Sequence, residues 1–439
     1  MLEILADRTF RRLFAAQVVA LVGTGLATVA LGLLAFDLAG QGAPLVLGTI
    51  LTIKMVAFVT LSPFAAALAQ RVDRRWLLVS LDLVRAGAAL ALPFVEELWQ
   101  VYALVFVLQA ASALFTPTFQ ATLPDVLPDE ARYTRALSLS RLAYDIESVA
   151  SPVLAALLLA LVSFDSLFLG TVVGFAASAL LVLSVVLPRR APTGPARSFG
   201  RDAAQGIRVY LATPRLRGLL ALSFSVAAAG SMVLVNSIGL VRAELGLGEA
   251  ALGWTMAAFG AGSMVGALAL PPLLDRWRDR PVMAAGTALM ALSLLALAAV
   301  ALGPGLTWSA LLVAWAVAGL GTSAVMTPAG RLLRRSAAAD DRPGLFAAQF
   351  ALSHACWLVC YPFAGWLMTE LGPVAALVIL ANLALAGLVV ALNLWPAGDP
   401  VEIPHDHHNL PPDHPHMQGG EDHSHAYVID DLHPRWPRR

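Results

Sequence analysis

Six charged side chains fall inside long apolar runs: Lys54, Asp82, Arg85, Arg141, Asp145 and Glu147. Lys54 is the single lysine of the chain and lies about 15 Å into its run at 1.5 Å per helical residue. Asp145 and Glu147 lie at comparable depth in another run, and Asp82 and Arg85 are shallower. A bare charge near the centre of a bilayer costs at least about 2.5–3.5 kcal/mol, so such groups turn inward and find partners. Arg141 and Asp145 are four apart and Asp82 and Arg85 three apart, so each pair can meet on one helical face. Asp145 and Glu147 are two apart and point to nearly opposite faces, so at most one lines a given cavity wall. The chemistry open to this set is proton exchange. A carboxyl group, Asp145 in preference to Glu147, would alternate between proton and substrate, with Lys54 as its electrostatic counterpart. The competing reading is permanent ion pairing that locks helices together.

A second set has metal-binding character. One apolar run carries Gln349, His354, Cys356 and Cys360, and imidazole and thiolate both take soft divalent metals. An isolated His and small Cys in an apolar helix more often pack or hydrogen-bond to a neighbour. The remaining eight histidines crowd the C-terminal 35 residues, as His405, His407 and His408, then His414 and His416, then His423 and His425, with His433 beyond. Carboxylates flank these clusters. Neutral imidazoles at this density chelate Ni, Co or Zn weakly and in a pH-dependent way. No C-x-x-C or helical H-x-x-x-H frame fixes a geometry. Rich in Pro, Asp and Gly, the tail is expected to be disordered.

The elements that must position these groups are membrane helices. Hydrophobic residues make up 58% of the 439, and charged residues only 13%, against about 25% charged in soluble domains. Apolar runs of spanning length predict twelve helices, over 13–36, 44–68, 76–95, 99–121, 136–162 and 166–187, then 218–241, 251–274, 281–302, 307–330, 345–371 and 373–395. Solid rather than alternating apolarity favours helices over a barrel. Arginines gather at the N-terminus and in every second connection, while the opposite connections hold Arg242 among acidic residues. The positive-inside rule then places both termini in the cytoplasm, with the chain in a bacterial-type inner membrane. The first run is too long for a cleavable leader.

The longest connection, rich in Pro, Gly and Arg, divides the chain into residues 1–187, a cytoplasmic linker 188–217, a second half 218–396, and the histidine-rich tail 397–439. The halves repeat one another. Thr116-Pro117 matches Thr327-Pro328, Pro152 matches Pro362, and Asp73-Arg74 matches Asp279-Arg280, at offsets of 206 to 211 residues. Parallel six-helix repeats of this kind build secondary transporters with the site at the repeat interface.

Here the chain resembles the major facilitator superfamily. Ala66-Ala67-Leu68-Ala69-Gln70-Arg71-Val72-Asp73-Arg74-Arg75 is similar to the family's signature loop, with Arg71, Arg74 and Arg75 matching. Gln70 replaces the usual Asp and Asp73 the second Gly. Asp275-Arg276-Trp277-Arg278-Asp279-Arg280 is its later copy. Ser151-Pro152-Val153-Leu154-Ala155-Ala156 is similar to the antiporter motif, with Ser and Ala for glycine. The stretch Phe115 to Asp125, the segment Tyr133 to Asp145 and the His-rich tail resemble the branch containing bacterial nickel-resistance exporters. The resemblance implies an all-α membrane fold of two pseudo-symmetric six-helix bundles and a conformational latch at Arg71, Asp73, Arg74, Arg75, Asp275 and Arg276. It also implies alternating access.

The function expected is proton-coupled export of a divalent transition metal, nickel or cobalt. Efflux of a small hydrophobic drug, siderophore or metabolite stands as the alternative, and a non-transporting metal sensor as a second. No enzyme activity is expected, and the absence of a G-x-x-x-x-G-K-[ST] loop argues against ATP-driven pumping. The expected partners are the bilayer, protons and a small solute or metal ion, with no nucleic acid. No cofactor is expected beyond metal held weakly by the tail, and the chain is expected to be a monomer.

Overall fold

A computed structural model of the chain describes residues 2–39, 43–69, 71–159, 161, 163–188, 199–399, 402–406, 422–430, 432–433 and 436–437. The first half holds α1 (Arg8–Ala39), α2 (Ala43–Leu61), α3 (Phe64–Ala69), α4 (Arg74–Ala91), α5 (Leu98–Val126), α6 (Glu130–Leu159) and α7 (Asp165–Leu183). The break between α2 and α3 falls at Ser62-Pro63, where proline removes a backbone donor, so the two form one interrupted span. α8 (Phe199–Ala212) lies in the connection between halves. The second half holds α9 (Pro214–Ile238), α10 (Glu249–Leu274), α11 (Asp279–Leu302), α12 (Trp308–Arg335) and α13 (Arg342–Leu394). α9 runs on into a π-helical turn, Gly239–Glu244.

At 53 residues, α13 would measure about 80 Å, far beyond a bilayer. Gly372 in its middle has φ 80° and ψ 175° and divides it into two spans. That left-handed backbone is open to glycine at little cost. Counting α2 with α3 and the two parts of α13 separately gives six spans per half, as the hydropathy predicts. α6 carries more charge than the other spans, with Arg141, Asp145 and Glu147 within two turns.

The bundles have separate apolar cores. One groups Phe10, Leu78, Phe115 and Tyr133 of the first half, and the other Met290, Trp315, Leu380 and Trp395 of the second. The halves meet along α6 against α10 and along α2 against α13, with α8 touching α3 and α13.

Tail residues expected to be disordered instead pair as two antiparallel strands, β1 (Glu402–Asp406) and β2 (Asp422–Ala426), with His405 opposite His423. The composition concealed the anchors. Tyr427, Ile429 and Trp436 pack on the second half's core, the Arg215 guanidinium stacks 5.1 Å from the Trp436 ring, and His433 Nδ1 lies 2.8 Å from the Asp430 carboxylate. Asp399 accepts from Arg215 and Arg335 and from Trp395 Nε1.

Candidate functional site between the halves

Both locally spaced ion pairs form. Arg141 reaches Asp145 at 3.1 Å and also donates to Ser263 Oγ on α10 at 3.0 and 3.1 Å. One guanidinium therefore joins the halves near the middle of the α6–α10 seam. Arg85 pairs with Asp82 inside the first half, sandwiched by the Phe115 and Phe175 rings at 4.1 and 4.5 Å. Asp82 is fully buried and distant from the seam between halves. The pair and the two rings around it all belong to the first half.

Asp145 and Glu147 diverge as their spacing requires. Asp145 faces α10, while Glu147 turns toward α1 and accepts from Ser151 at 3.0 Å. Gly25 of α1 makes room for it. A Cβ at Gly25 would stand 2.1 Å from Ser151 Oγ and 2.4 Å from a Glu147 carboxylate oxygen. Lys54 on α2 interacts electrostatically with Glu147, yet no ion pair closes between them among the described residues. The sequence left Asp145 and Glu147 both open as the counterpart of Lys54, with Asp145 put first. Arg141 already holds Asp145, and it is Glu147 that Lys54 senses.

The second half contributes more than its sequence suggested. The Lys54 ammonium lies 5.6 Å from the Phe58 ring centre, and Phe58 packs edge-on against His354 at 4.9 Å and against Phe350 at 5.0 Å. Lys54 and His354 are also electrostatically coupled. His354 Nδ1 sits 2.7 Å from the Phe350 carbonyl. Bonding to a carbonyl makes Nδ1 the protonated nitrogen and leaves the Nε2 lone pair as the ring's proton acceptor. Lys54, Glu147 and His354 are each half-buried. A cation and an imidazole from the two bundles thus lie against the same Phe58 ring, and a carboxylate on a third helix interacts electrostatically with the cation.

The soft-ligand set does not converge. Cys360 and Cys356 pack toward α9 with Ala227, Ala228 and Phe224, away from Phe58 and His354, and Cys356 donates to the Leu352 carbonyl at 3.3 Å. Among the described residues, no three His, Cys, Asp or Glu side chains gather to hold a metal ion. His407, His408, His414 and His416 lie outside the described residues. His405, His423 and His425 are placed by strand register alone.

The signature loop sits at the arginine-rich end. Asp73 caps α4 through the amides of Arg75 and Trp76, and the Arg75 guanidinium lies 5.6 Å from the Trp76 ring. Arg71 precedes it in the turn, exposed. Arg74 donates to Asp125 at 2.7 Å, and Arg342 of the second half reaches the other oxygen of Asp125 at 3.3 Å. Nearby, Arg331 meets Glu130 at 2.7 Å and Asp279 at 3.5 Å, Arg334 donates to the Pro128 carbonyl, and Tyr133 Oη lies 3.4 Å from the Gly330 carbonyl. At this end the halves are closed on one another. In the second copy of the loop, Asp275 ends α10 and Arg276 is exposed. The pairing there is carried by Asp279 and by Arg280, which donates to the Trp395 and Leu392 carbonyls at 2.9 Å.

This arrangement has a known setting. The profile of the Major Facilitator Superfamily matches residues 13–237 and again 219–415. The chain belongs to the Major Facilitator Superfamily. Among characterised and uncharacterised relatives, it is 28% identical over 260 residues to the uncharacterised MFS-type transporter YfiS of Bacillus subtilis (strain 168), covering 58% of this chain and 61% of YfiS. It is 24% identical over 185 residues to macrolide efflux protein A of Streptococcus pyogenes, covering 41% of this chain and 45% of that protein. These matches span less than two thirds of either relative. Among solved structures, a bacterial homologue of the iron transporter ferroportin in an outward-facing state superposes with a TM-score of 0.73 at 16% identity, over 88% of this chain and 99% of that one. The human organic anion transporter MFSD10 (TETRAN) gives 0.71 at 15% identity, over 88% and 99%. At such identities these two establish the fold alone. The chain is therefore a multi-pass membrane protein of this superfamily.

Proposed function

We propose that the chain is a proton-driven exporter of small organic molecules with an apolar body, working by alternating access. The observation that carries this is the half-buried placement of Lys54 and His354 on either side of the Phe58 ring between the bundles, with Glu147 electrostatically linked to Lys54. Glu147 is the exchanging carboxyl, and Lys54 is the countercharge that holds it when neither proton nor substrate does. A fixed ammonium at this point repels a bare divalent cation and suits an organic solute, as the phenylalanine walls do. The efflux role printed for the macrolide relative supports the direction. The arginine distribution supports an inner-membrane location with both termini cytoplasmic, and the closed arginine-rich end is then the cytoplasmic gate. The chain works as a monomer, without a cofactor.

The test is organic-substrate export from proteoliposomes at imposed proton gradients. Lys54→Met and Glu147→Gln should lose proton dependence. Normal export with unchanged proton dependence in Lys54→Met would sink the coupling idea.

A second reading, export of nickel or cobalt, is favoured by one observation, the strand register that sets His405 opposite His423. Its test is metal tolerance and cell-associated metal in a sensitive host carrying the full chain or a version ending at Trp395. Lower accumulated metal with the full chain supports it, and unchanged metal with both versions removes it.

A further inference from the structure

The tail holds no C-x-x-C or helical H-x-x-x-H frame for a metal, yet its strand register supplies a frame of another kind. In the antiparallel pair, Ile403 lies opposite His425, His405 opposite His423, and Asp406 opposite Asp422. Successive positions of a strand alternate between faces, and directly opposed positions share one. Positions 403 and 405 of β1 and 423 and 425 of β2 therefore lie on the same face. Three of those four positions are histidine. His423-Ser424-His425 sets two of them along one strand, and His405 faces the first across the ladder. Opposed Cβ atoms stand about 4.5–5.5 Å apart and diagonal neighbours about 7–8 Å, spans that three imidazoles can close around one ion.

The strand pair is positioned by contacts outside itself. Asp399 fixes the chain just before β1 through Arg215, Arg335 and Trp395. Tyr427, which follows β2, is buried on the second half's core together with Ile429. Ile403, the fourth position of the histidine face, packs on the same core. Chelating residues on a loose tail must be ordered at the moment of binding, and the entropy lost then weakens the complex. Here the fold has already ordered them. The pairing itself is poor without a ligand. Pro404 withholds a ladder donor, Asp406 and Asp422 set like charges opposite one another, and a two-stranded ribbon is marginal in water. A bound dication strengthens the ribbon by bridging its strands and by offsetting the aspartate charge.

We propose that His405, His423 and His425 form a resident site for one Zn²⁺ or Co²⁺ ion, with three imidazoles and a water completing a tetrahedron. The ion is a ligand of the tail and not cargo. Transport itself does not need it, and the site is independent of what the chain exports. An ion that binds the paired strands and not the unpaired ones stabilises the pair by linkage. Metal therefore tightens the hold of the tail on the second bundle. His407, His408, His414 and His416, in the connection between the strands, are not part of this set.

The experiment titrates the purified, metal-stripped full chain with Co²⁺ at neutral pH and then displaces the cobalt with Zn²⁺. Four-coordinate cobalt absorbs visible light far more strongly than the octahedral aquo ion, so the spectrum reports the geometry. Expected is one strongly absorbing cobalt per chain, displaced by one equivalent of Zn²⁺. His405→Ala, His423→Ala and His425→Ala should each weaken binding by more than the roughly 10- to 100-fold that losing an outer-shell partner costs. Replacing His407, His408, His414 and His416 together by Ala should leave spectrum and affinity unchanged. The deciding variant keeps the composition: Ser424→His with His425→Ser moves one imidazole to the other face and should bind as weakly as His425→Ala. Zn²⁺ should also slow proteolysis after residue 399 in the wild type and not in His405→Ala. Equal affinity in the wild type and the exchanged variant, an octahedral cobalt spectrum, or loss of the site in the four-histidine variant overturns the proposal. One tight ion per chain with unchanged cell-associated metal supports this site and removes the metal-export reading. No tight ion with lowered cell-associated metal overturns the site and leaves that reading standing.

Discussion

Replacing Asp125 by Asn should open the arginine-rich end. Asp125 is nearly buried, with a side-chain exposure of 3%, and each oxygen takes one arginine, Arg74 from its own half at 2.7 Å and Arg342 from the other at 3.3 Å. Only the second contact must break for the halves to part. A hydrogen bond to a charged group contributes about 1.5–3 kcal/mol, so losing it shifts the equilibrium between closed and open forms by roughly 10- to 150-fold. Glu130 is the internal control. Its bond to Arg331 also crosses the seam, at 2.7 Å, but its side chain is 63% exposed, and exposed pairs contribute about 0–1 kcal/mol. The assay is labelling of a cysteine placed among the arginine-end residues of the seam, in a background with Cys356 and Cys360 replaced by serine. Asp125→Asn and Arg342→Gln should label much faster than the parent, and Glu130→Gln barely faster. Equal rates for Asp125→Asn and the parent, or a larger effect from Glu130→Gln, would refute the argument that burial sets the strength of this lock.

Three further outcomes are expected. Gly25→Ala should lower the thermal midpoint in detergent by an amount equivalent to about 1–3 kcal/mol of overpacking, because the new Cβ collides with Ser151 and Glu147; an unchanged midpoint would mean that α1 and α6 are not this close. Arg85→Leu should cost about 3–5 kcal/mol by stranding the buried Asp82 charge, and Asp82→Val with Arg85→Leu should recover most of it; thermal unfolding of both variants decides, and a double variant no better than the single would point to a role beyond pairing. Asp399→Asn should loosen the tail by on the order of 2 kcal/mol, seen as faster proteolysis after residue 399 and altered emission of Trp436; unchanged proteolysis would place the tail's hold elsewhere.

Local spacing made part of the site legible. Arg141 with Asp145 and Asp82 with Arg85 are pairs one helical turn apart, and a helix brings such residues together whatever surrounds it. The divergence of Asp145 and Glu147 came from the same rule. What spacing could not supply was which carboxyl Lys54 interacts with electrostatically, because Lys54 and the carboxyls sit on different helices placed by tertiary packing. Ser263, the partner that draws Arg141 toward α10, carries no charge and gave no signal. His354 stood out only as a histidine in an apolar run, and its place beside Phe58 depends on how α13 crosses α2. In the tail, density of histidine and proline outweighed Tyr427, Ile429 and Trp436, three apolar residues too widely spaced to register as a pattern.

The anchorage of Asp399 has a mechanical consequence. Arg215, Arg335 and Trp395 all belong to the second bundle, as does the Arg278 that donates to the Gly398 carbonyl at 3.2 Å. The start of the tail is thus bolted to the second bundle. In the alternating-access cycle proposed above, the strand pair would sweep with the second bundle and change its distance from the first. A fluorophore on the tail and another near residue 3 would then act as a goniometer for the transport cycle, reporting the angle between bundles without a label inside the membrane.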